Sequence, residues 1–352
     1  MTVADSAGET AQDQSDLFRG TGSDVAVGPA KRTVRGTPAA TMPAFILGAE
    51  LADLAERDPR IVVMTADLAT ANRTSEFKAR HPDRFFDFGI AEKNMITAAA
   101  GMAAAGQVCY AATFASFAAI LGAEQIKTDC AYPGLPVRVI GHHSGISMGF
   151  YGSSHHSTED LAMMRAIADL TVVAPADANQ LRAILRASVD RPGAMYIRLG
   201  RGRDPEVYQS VPDDLAIGRA TYLRPGSDLT IIAIGSEVRP ALDAAELLGS
   251  DGLSVGVVDM HTLKPLDQEA IRTIAAGSRA IMTVEEHNVI GGLGSAVAEV
   301  LVELERIPFR RWGTPDEFSL IGPPAALYAH YRLDAAGIAG VARELLAGIA
   351  PA

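Results

Sequence analysis

The chain has 352 residues, 48% of them hydrophobic and 21% charged, and a formal net charge of -11. This is the composition of a soluble globular protein with a large core. The acidic surplus excludes broad nucleic-acid binding, which needs a basic surface to displace counterions.

Apolar runs such as LTIIAIG are strand length, far below the roughly twenty residues that span a bilayer. No basic-then-apolar leader pattern opens the sequence. Cys109 and Cys130 are its two cysteines and cannot build a disulfide framework; no Cys/His cluster has zinc spacing. These features read as cytoplasmic.

In chain order, residues 1–37 are rich in Gly, Ser, Thr, Asp and Ala. They carry too little apolar surface to offset their ordering entropy, so a disordered tail is expected. A first domain is expected over 38–200. It opens with a helix over TMPAFILGAELADLAERD, with Thr41 as N-cap and Pro43 in the first turn. The run RIVVMTADL then reads as a buried strand. RFFDFG, VCYAATF, PVRVIGH, LTVVAPA and AMYIRLG follow as strands, with helices near 91–105, 115–131, 159–169 and 177–190. GRGRDPEVYQSVPDDLAIG reads as a linker over 201–218. A second unit over 219–352 runs from SDLTIIAIGSEV to a helix near 334–347. Alternating short apolar strands and helices predict α/β architecture: two doubly wound domains with mostly parallel sheets. Ligands bind such sheets at the carboxyl ends of strands, where TADLAT, FGIAEKN, GHHSG and RLGRGR lie.

Glu92, in FDFGIAEKNM, stands at a helix start. It either caps that helix or is a buried acid aimed at a ligand. Four of the eight histidines, His142, His143, His155 and His156, bracket a Gly/Ser-rich loop after a strand. Neighbouring ligands with metal spacing are missing, so binding of a polyhydroxylated substrate with proton shuttling fits better. Phe114 and Phe117 share one helix face, either as core or as a slot for a flat heterocycle. Gly291, Gly292 and Gly294 lack full dinucleotide-binding spacing and read as a tight turn. No Walker motif occurs, nor a GDG run followed by an Asn pair.

TADLATANRT, FGIAEKNMITAAAGMAAAG, TFASFAAILGAEQIKTD, HHSTEDLAMMRAI, VVAPADANQ and EEHNVIGGLGSAVAE occur in order. Together they make the chain resemble the C-terminal half of a transketolase: the pyrimidine-binding domain plus the C-terminal domain. The resemblance covers almost everything from residue 38 onward. It implies one subunit of a split, thiamine-diphosphate-dependent enzyme that transfers a two-carbon ketol unit from a ketose to an aldose or aldehyde through a cofactor-bound carbanion. Mg2+ and diphosphate ligands are then expected from an N-terminal-half partner, in an α2β2 assembly.

Residue by residue, the resemblance assigns Glu92 to the aminopyrimidine ring nitrogen. Phe114 and Phe117 match the ring-holding aromatics, with Ile120 where a third aromatic is common. Asp67 and Leu68 border the cofactor. His143 and His155 match sugar-contacting histidines, and Arg198 a terminal-phosphate arginine. Tyr151 replaces an aspartate that contacts a substrate hydroxyl. Met42 replaces a second phosphate-binding arginine, and Ala71 a phosphate-contacting serine. These departures predict a substrate other than an ordinary pentose phosphate, or contacts supplied by the partner. A 2-oxo-acid dehydrogenase β subunit, a deoxyxylulose-phosphate synthase-like half-enzyme and a non-catalytic scaffold are the rival readings.

Overall fold

The computed structural model describes residues 43–201 and 206–349. The expected tail, the proposed cap at Thr41, and Met42 lie outside them. In the first half, helix α1 (Pro43–Arg57) leads into β1 (Ile61–Thr65), α2 (Ser75–Arg80), β2 (Phe85–Asp87), α3 (Glu92–Ala104) and β3 (Val108–Phe114). After a helical segment come β4 (Val137–His142), α4 (Asp160–Ala166), β5 (Thr171–Val173), α5 (Ala178–Ser188) and β6 (Met195–Arg198). The second half comprises β7 (Thr221–Arg224), β8 (Leu229–Ala233), α6 (Val238–Ser250), β9 (Val255–Asp259) and β10 (Thr262–Lys264). It ends with α7 (Gln268–Gly277), β11 (Ile281–Asn288), α8 (Leu293–Leu301), β12 (Phe309–Thr314), α9 (Pro324–His330) and α10 (Ala335–Ala347).

Strands β1, β3 and β4 are buried along their whole length. The mostly apolar runs of β1 and β3 suit the middle of a parallel sheet covered by helices on both faces, and in β4 the buried Arg138 donates to Ser188 O. The first sheet has strand order β10-β5-β6-β4-β3-β1-β2, and the second β12-β11-β8-β9-β7. All pairings are parallel except β10 with β5 and β7 with β9, both at sheet edges.

Two features depart from the expected division into independent domains. Strand β10 comes from the second half but pairs with β5 of the first sheet. The expected linker is also anchored: the backbone N–H groups of Val207 and Tyr208 donate to Asp177 Oδ2 at 2.8 and 2.6 Å. Gln180 Nε2 and the Tyr208 hydroxyl both donate to the buried Asp259 Oδ2, at 2.7 and 2.6 Å. Two backbone N–H groups and the Tyr208 hydroxyl of the linker thus satisfy buried carboxylates of both halves.

The helix expected over 115–131 forms with wider turns. Gly122 N–H reaches back to Phe117 O and Tyr132 N–H to Lys127 O, each five residues away. Such π-type turns concentrate at functional sites, and this one directly follows Phe114.

Candidate functional site

Parallel pairing sets the carboxyl ends of β2, β1, β3, β4 and β6 side by side. Thr65 lies opposite Asp87 and Ala112, Phe114 opposite His142, and Gly141 opposite Arg198. The loops that follow these strands carry nearly every residue singled out in the sequence, as expected for an open α/β sheet.

Glu92 is the first residue of α3 and only 6% exposed. Among the described residues no backbone N–H donates to its carboxylate, so it does not cap the helix. Its hydrogen-bond partner there is Thr113, whose hydroxyl donates to Oε1 at 3.5 Å. The buried carboxyl therefore retains acceptor capacity for a ligand. One turn back, Asp87 Oδ1 accepts from the N–H groups of Asp67 and Gly89, at 2.9 and 3.1 Å. This brace ties the loop after β1 to the approach to α3. Sequence reading missed it, although Asp87 sits in the same FDFG run.

An aromatic array stands beside Glu92's neighbour Thr113. Ring centroids are separated by 5.6 Å for Phe114–Phe117, 4.5 Å for Phe114–His143 and 5.4 Å for Phe117–His155. Tyr151 adds a further ring 5.2 Å from His155. Phe114 is buried, whereas Ile120 is 54% exposed and adds nothing to this wall. His143 Nδ1 lies 2.5 Å from His142 Nδ1, so one imidazole donates to the other. His155 Nδ1 is 2.9 Å from the Ser154 hydroxyl. Burial, reinforced by His142 and by the positive charges of Arg201 and Arg73, holds His143 far below the ordinary imidazole range. It is therefore neutral.

Of these groups Phe114, His142, His143 and Tyr151 line a cleft of about 230 Å³, together with Thr70, Ala71, Arg73, Met148 and Arg201. The Arg73 guanidinium stacks on the Phe45 ring at 3.9 Å, and that of Arg201 lies 5.9 Å from the Tyr151 ring centroid. Asp67, Arg73 and His143 are three of the five non-glycine residues with positive φ among the described residues. Backbone strain of this kind gathers where a site must be held in one geometry.

Two sequence expectations need correction. Arg198 does not reach the cleft. It is 3% exposed, its Nε donates to Asp160 Oδ2 at 2.8 Å, and its Nη2 donates to Ser157 O and Glu286 O at 3.2 and 2.8 Å. As the last residue of β6 it is still enclosed by the sheet layer. Arg201, three residues on, has cleared the strand end and lines the cleft instead. His156 also turns away, to the Ser319 hydroxyl at 2.5 Å and Gly149 O at 3.1 Å. His142, by contrast, joins His143 in the cleft. Arg73 and Arg201 went unread, although the post-strand stretches TANRT and RLGRGR contain them.

Comparison with known proteins identifies the two domains. The transketolase pyrimidine-binding domain model matches residues 43–205, and the transketolase C-terminal domain model matches 218–338. An apulose-4-phosphate transketolase subunit of Phocaeicola vulgatus is 38% identical over 296 residues, covering 84% of this chain and 95% of that protein. A 6-deoxy-6-sulfo-D-fructose transketolase subunit of a Clostridium species is 40% identical over 295 residues, covering 84% and 91%. Among solved structures, a split gene transketolase described as an inactive β4 tetramer superposes with a TM-score of 0.78 at 41% identity, covering 85% of this chain and 96% of that one. With both of its characteristic domains matched over most of its length, the chain belongs to the transketolase family.

Proposed function

We propose that this chain is the pyrimidine-binding subunit of a thiamine-diphosphate-dependent transketolase, active with a partner subunit. It would move a two-carbon ketol unit from a ketose to an aldose or other aldehyde. The observation that carries this reading is the Glu92 carboxyl, buried at the head of α3 with one long hydrogen bond and acceptor capacity to spare. Those features fit a ring nitrogen of the cofactor's aminopyrimidine. Phe114 and Phe117 offer the apolar wall that a flat heterocycle needs. Asp67 and Leu68, on the loop braced by Asp87, border the same region.

When bound, the cofactor supplies a carbon nucleophile that no side chain can provide. The chain's own residues do the rest. Glu92 holds and orients the ring and excludes water from its edge. His143, kept neutral, can accept a hydroxyl proton of the sugar at one ring nitrogen while the other is fixed by His142. His155, packed on Phe117 and Tyr151, faces the same substrate. Arg73 and Arg201, which both line the cleft, present two guanidinium groups to it. That pairing suits the oxyanion tail of a phosphorylated or sulfonated sugar. Two relatives are named for a sugar phosphate and a sulfo sugar, which supports an anionic tail. Tyr151 offers a flat ring where an aspartate would meet a hydroxyl, and Ala71 removes another polar contact, so the sugar recognised differs from an ordinary pentose phosphate.

Mg2+ and the diphosphate are assigned to the partner, an N-terminal-half subunit, in an α2β2 complex. Relatives named as subunits support this, as does the split-gene relative described as an inactive β4 tetramer. So do Ile90, Ile120 and Leu121, which are 86%, 54% and 43% exposed on or beside the segments carrying Glu92 and Phe117.

The test begins with affinity purification of the chain from its native cells and intact masses of what accompanies it. The recovered complex is then assayed for two-carbon transfer with and without thiamine diphosphate. Cofactor-dependent transfer supports the reading. A complex whose activity ignores the cofactor, or survives Glu92→Ala intact, rules it out.

A further inference from the structure

The histidine-bearing loop over residues 143–157 has little regular structure of its own. Its regular elements are one short helical turn over Gly149–Tyr151 and one bridge between Gly145 and Ser157, joined by local hydrogen bonds such as those of the Ser147 hydroxyl to Ser144 O and of the His156 ring to Gly149 O. His143, Gly145, Gly149 and Gly152 all take positive φ, between 58° and 72°. A chain bent this often does not hold its shape by propensity, yet residues 143–149 are buried. Contacts from outside the loop add to its own hydrogen bonds.

That support comes from the second half of the molecule and converges on Glu286, in β11. Its Oε1 accepts from the Ile146 N–H at 2.8 Å and from the Tyr328 hydroxyl at 2.7 Å. Its Oε2 accepts from the Ser236 hydroxyl at 2.8 Å. Gly145 leaves the space that the carboxyl fills: a Cβ there would lie 2.1 Å from Glu286 Cδ. The main-chain carbonyl of the same residue accepts from Arg198 Nη2, which also donates to Ser157 O at the loop's other end. Glu286 thus holds the start of the loop by its carboxylate and, through Arg198, the end of it by its carbonyl.

We propose that Glu286 is a positioning residue for the substrate histidines, and that through it the C-terminal domain sets the geometry of the cleft. Ser236 and Tyr328 fix the carboxylate, the carboxylate fixes Ile146, and the loop carries His143 and His155 into place. The acceptor geometry is what matters. Glutamine keeps one oxygen for Ile146 and Tyr328, and its amide nitrogen can donate to the Ser236 hydroxyl. Alanine removes the acceptor shared by the buried Ile146 N–H and the half-buried Ser236 and Tyr328 hydroxyls.

The test is peptide-level hydrogen exchange on the full chain, alone and with its partner, for Glu286→Ala and Glu286→Gln. Exchange over 143–149 should accelerate about tenfold or more in the alanine variant, as loss of a buried hydrogen bond at a locally opening segment implies. Exchange in β4 and β11 should stay unchanged, and the glutamine variant should restore protection. In the complex, the alanine variant should keep cofactor affinity and lose about 100-fold in kcat, the cost of displacing reacting groups by about 1 Å. The kinetic part rests on the proposed transketolase-type function and the exchange part does not, so the two can fail separately. Unchanged loop exchange in the alanine variant overturns the proposal. So does acceleration shared by the whole sheet, which marks a merely structural role. If that variant does not fold, the double variant Ser236→Ala, Tyr328→Phe removes both groups that fix the carboxylate and is judged by the same criteria.

Discussion

Removing charge from the cleft tests how its distal end is recognised. Arg73 and Arg201 both line the cleft, and both act electrostatically on His143. A hydrogen bond from a guanidinium to an oxyanion contributes about 1.5–3 kcal/mol. With about 1.36 kcal/mol per factor of ten, each arginine lost should lower kcat/KM for an anionic substrate about 10- to 150-fold. Arg73 is exposed, so solvent and salt screen it and its effect belongs at the low end of that range. Arg201 is half-buried beside Tyr151 and belongs higher. Two groups on one oxyanion share a partner, so the double variant should fall short of the product of the singles. The assay compares Arg73→Gln, Arg201→Gln and the double variant in the reconstituted complex. Each is given a phosphorylated ketose and its dephosphorylated counterpart, at low and high salt. The penalty should be confined to the phosphorylated substrate, and its salt dependence should shrink in the double variant. Equal losses with the neutral ketose would refute the reasoning and leave the arginines as supports of the loops they sit on.

Other outcomes follow from the same geometry. Glu92→Gln should lower kcat of the complex about 100- to 10,000-fold, the range for a lost proton-transfer group, with the melting temperature of the isolated chain unchanged. Gly141→Ala would place a methyl group 2.1 Å from the Tyr196 hydroxyl inside the sheet layer, and should destabilise the chain by about 1–3 kcal/mol in denaturant unfolding. Asp259 is pushed up to about 7 by burial, against hydrogen bonds from Tyr208 and Gln180. Its folded form holds a proton more tightly than the unfolded chain, so its contribution to stability is lost as pH rises from about 4 to about 7. His261 and His287, held down at about 4 by burial, work in the opposite sense and give up stability as pH falls from 6.5 towards 4. Glu285, also pushed up to about 7 by burial, acts in the same sense as Asp259, so the wild-type slope is a sum of opposing contributions. The gain in melting temperature of Asp259→Asn over wild type should accordingly be larger at pH ~8 than at pH ~5, and an equal or reversed difference would contradict it.

The sequence by itself determined the alternation of strands and helices, because β1 and β3 are almost wholly apolar runs of strand length that suit a buried parallel sheet. It also pointed to the loops that hold the candidate site. The carboxyl ends of parallel strands are adjacent by construction, so Glu92, Phe114 and the paired histidines converge whatever the side chains between them. Glu92 was legible as a carboxylate out of place. The tertiary structure alone decided what that carboxylate does at the helix start, where it meets Thr113 and no backbone donor. It decided that β10, three residues long and without a distinctive pattern, leaves its own half to cover an edge of the first sheet. It also separated Arg198 from Arg201. Both are arginines in one post-strand run, but one still lies within the sheet layer against Asp160 and the other has passed its end into the cleft. Residue type and spacing cannot distinguish them, because burial and pairing arise only when the second half of the chain packs its Glu286 and its loops against the first.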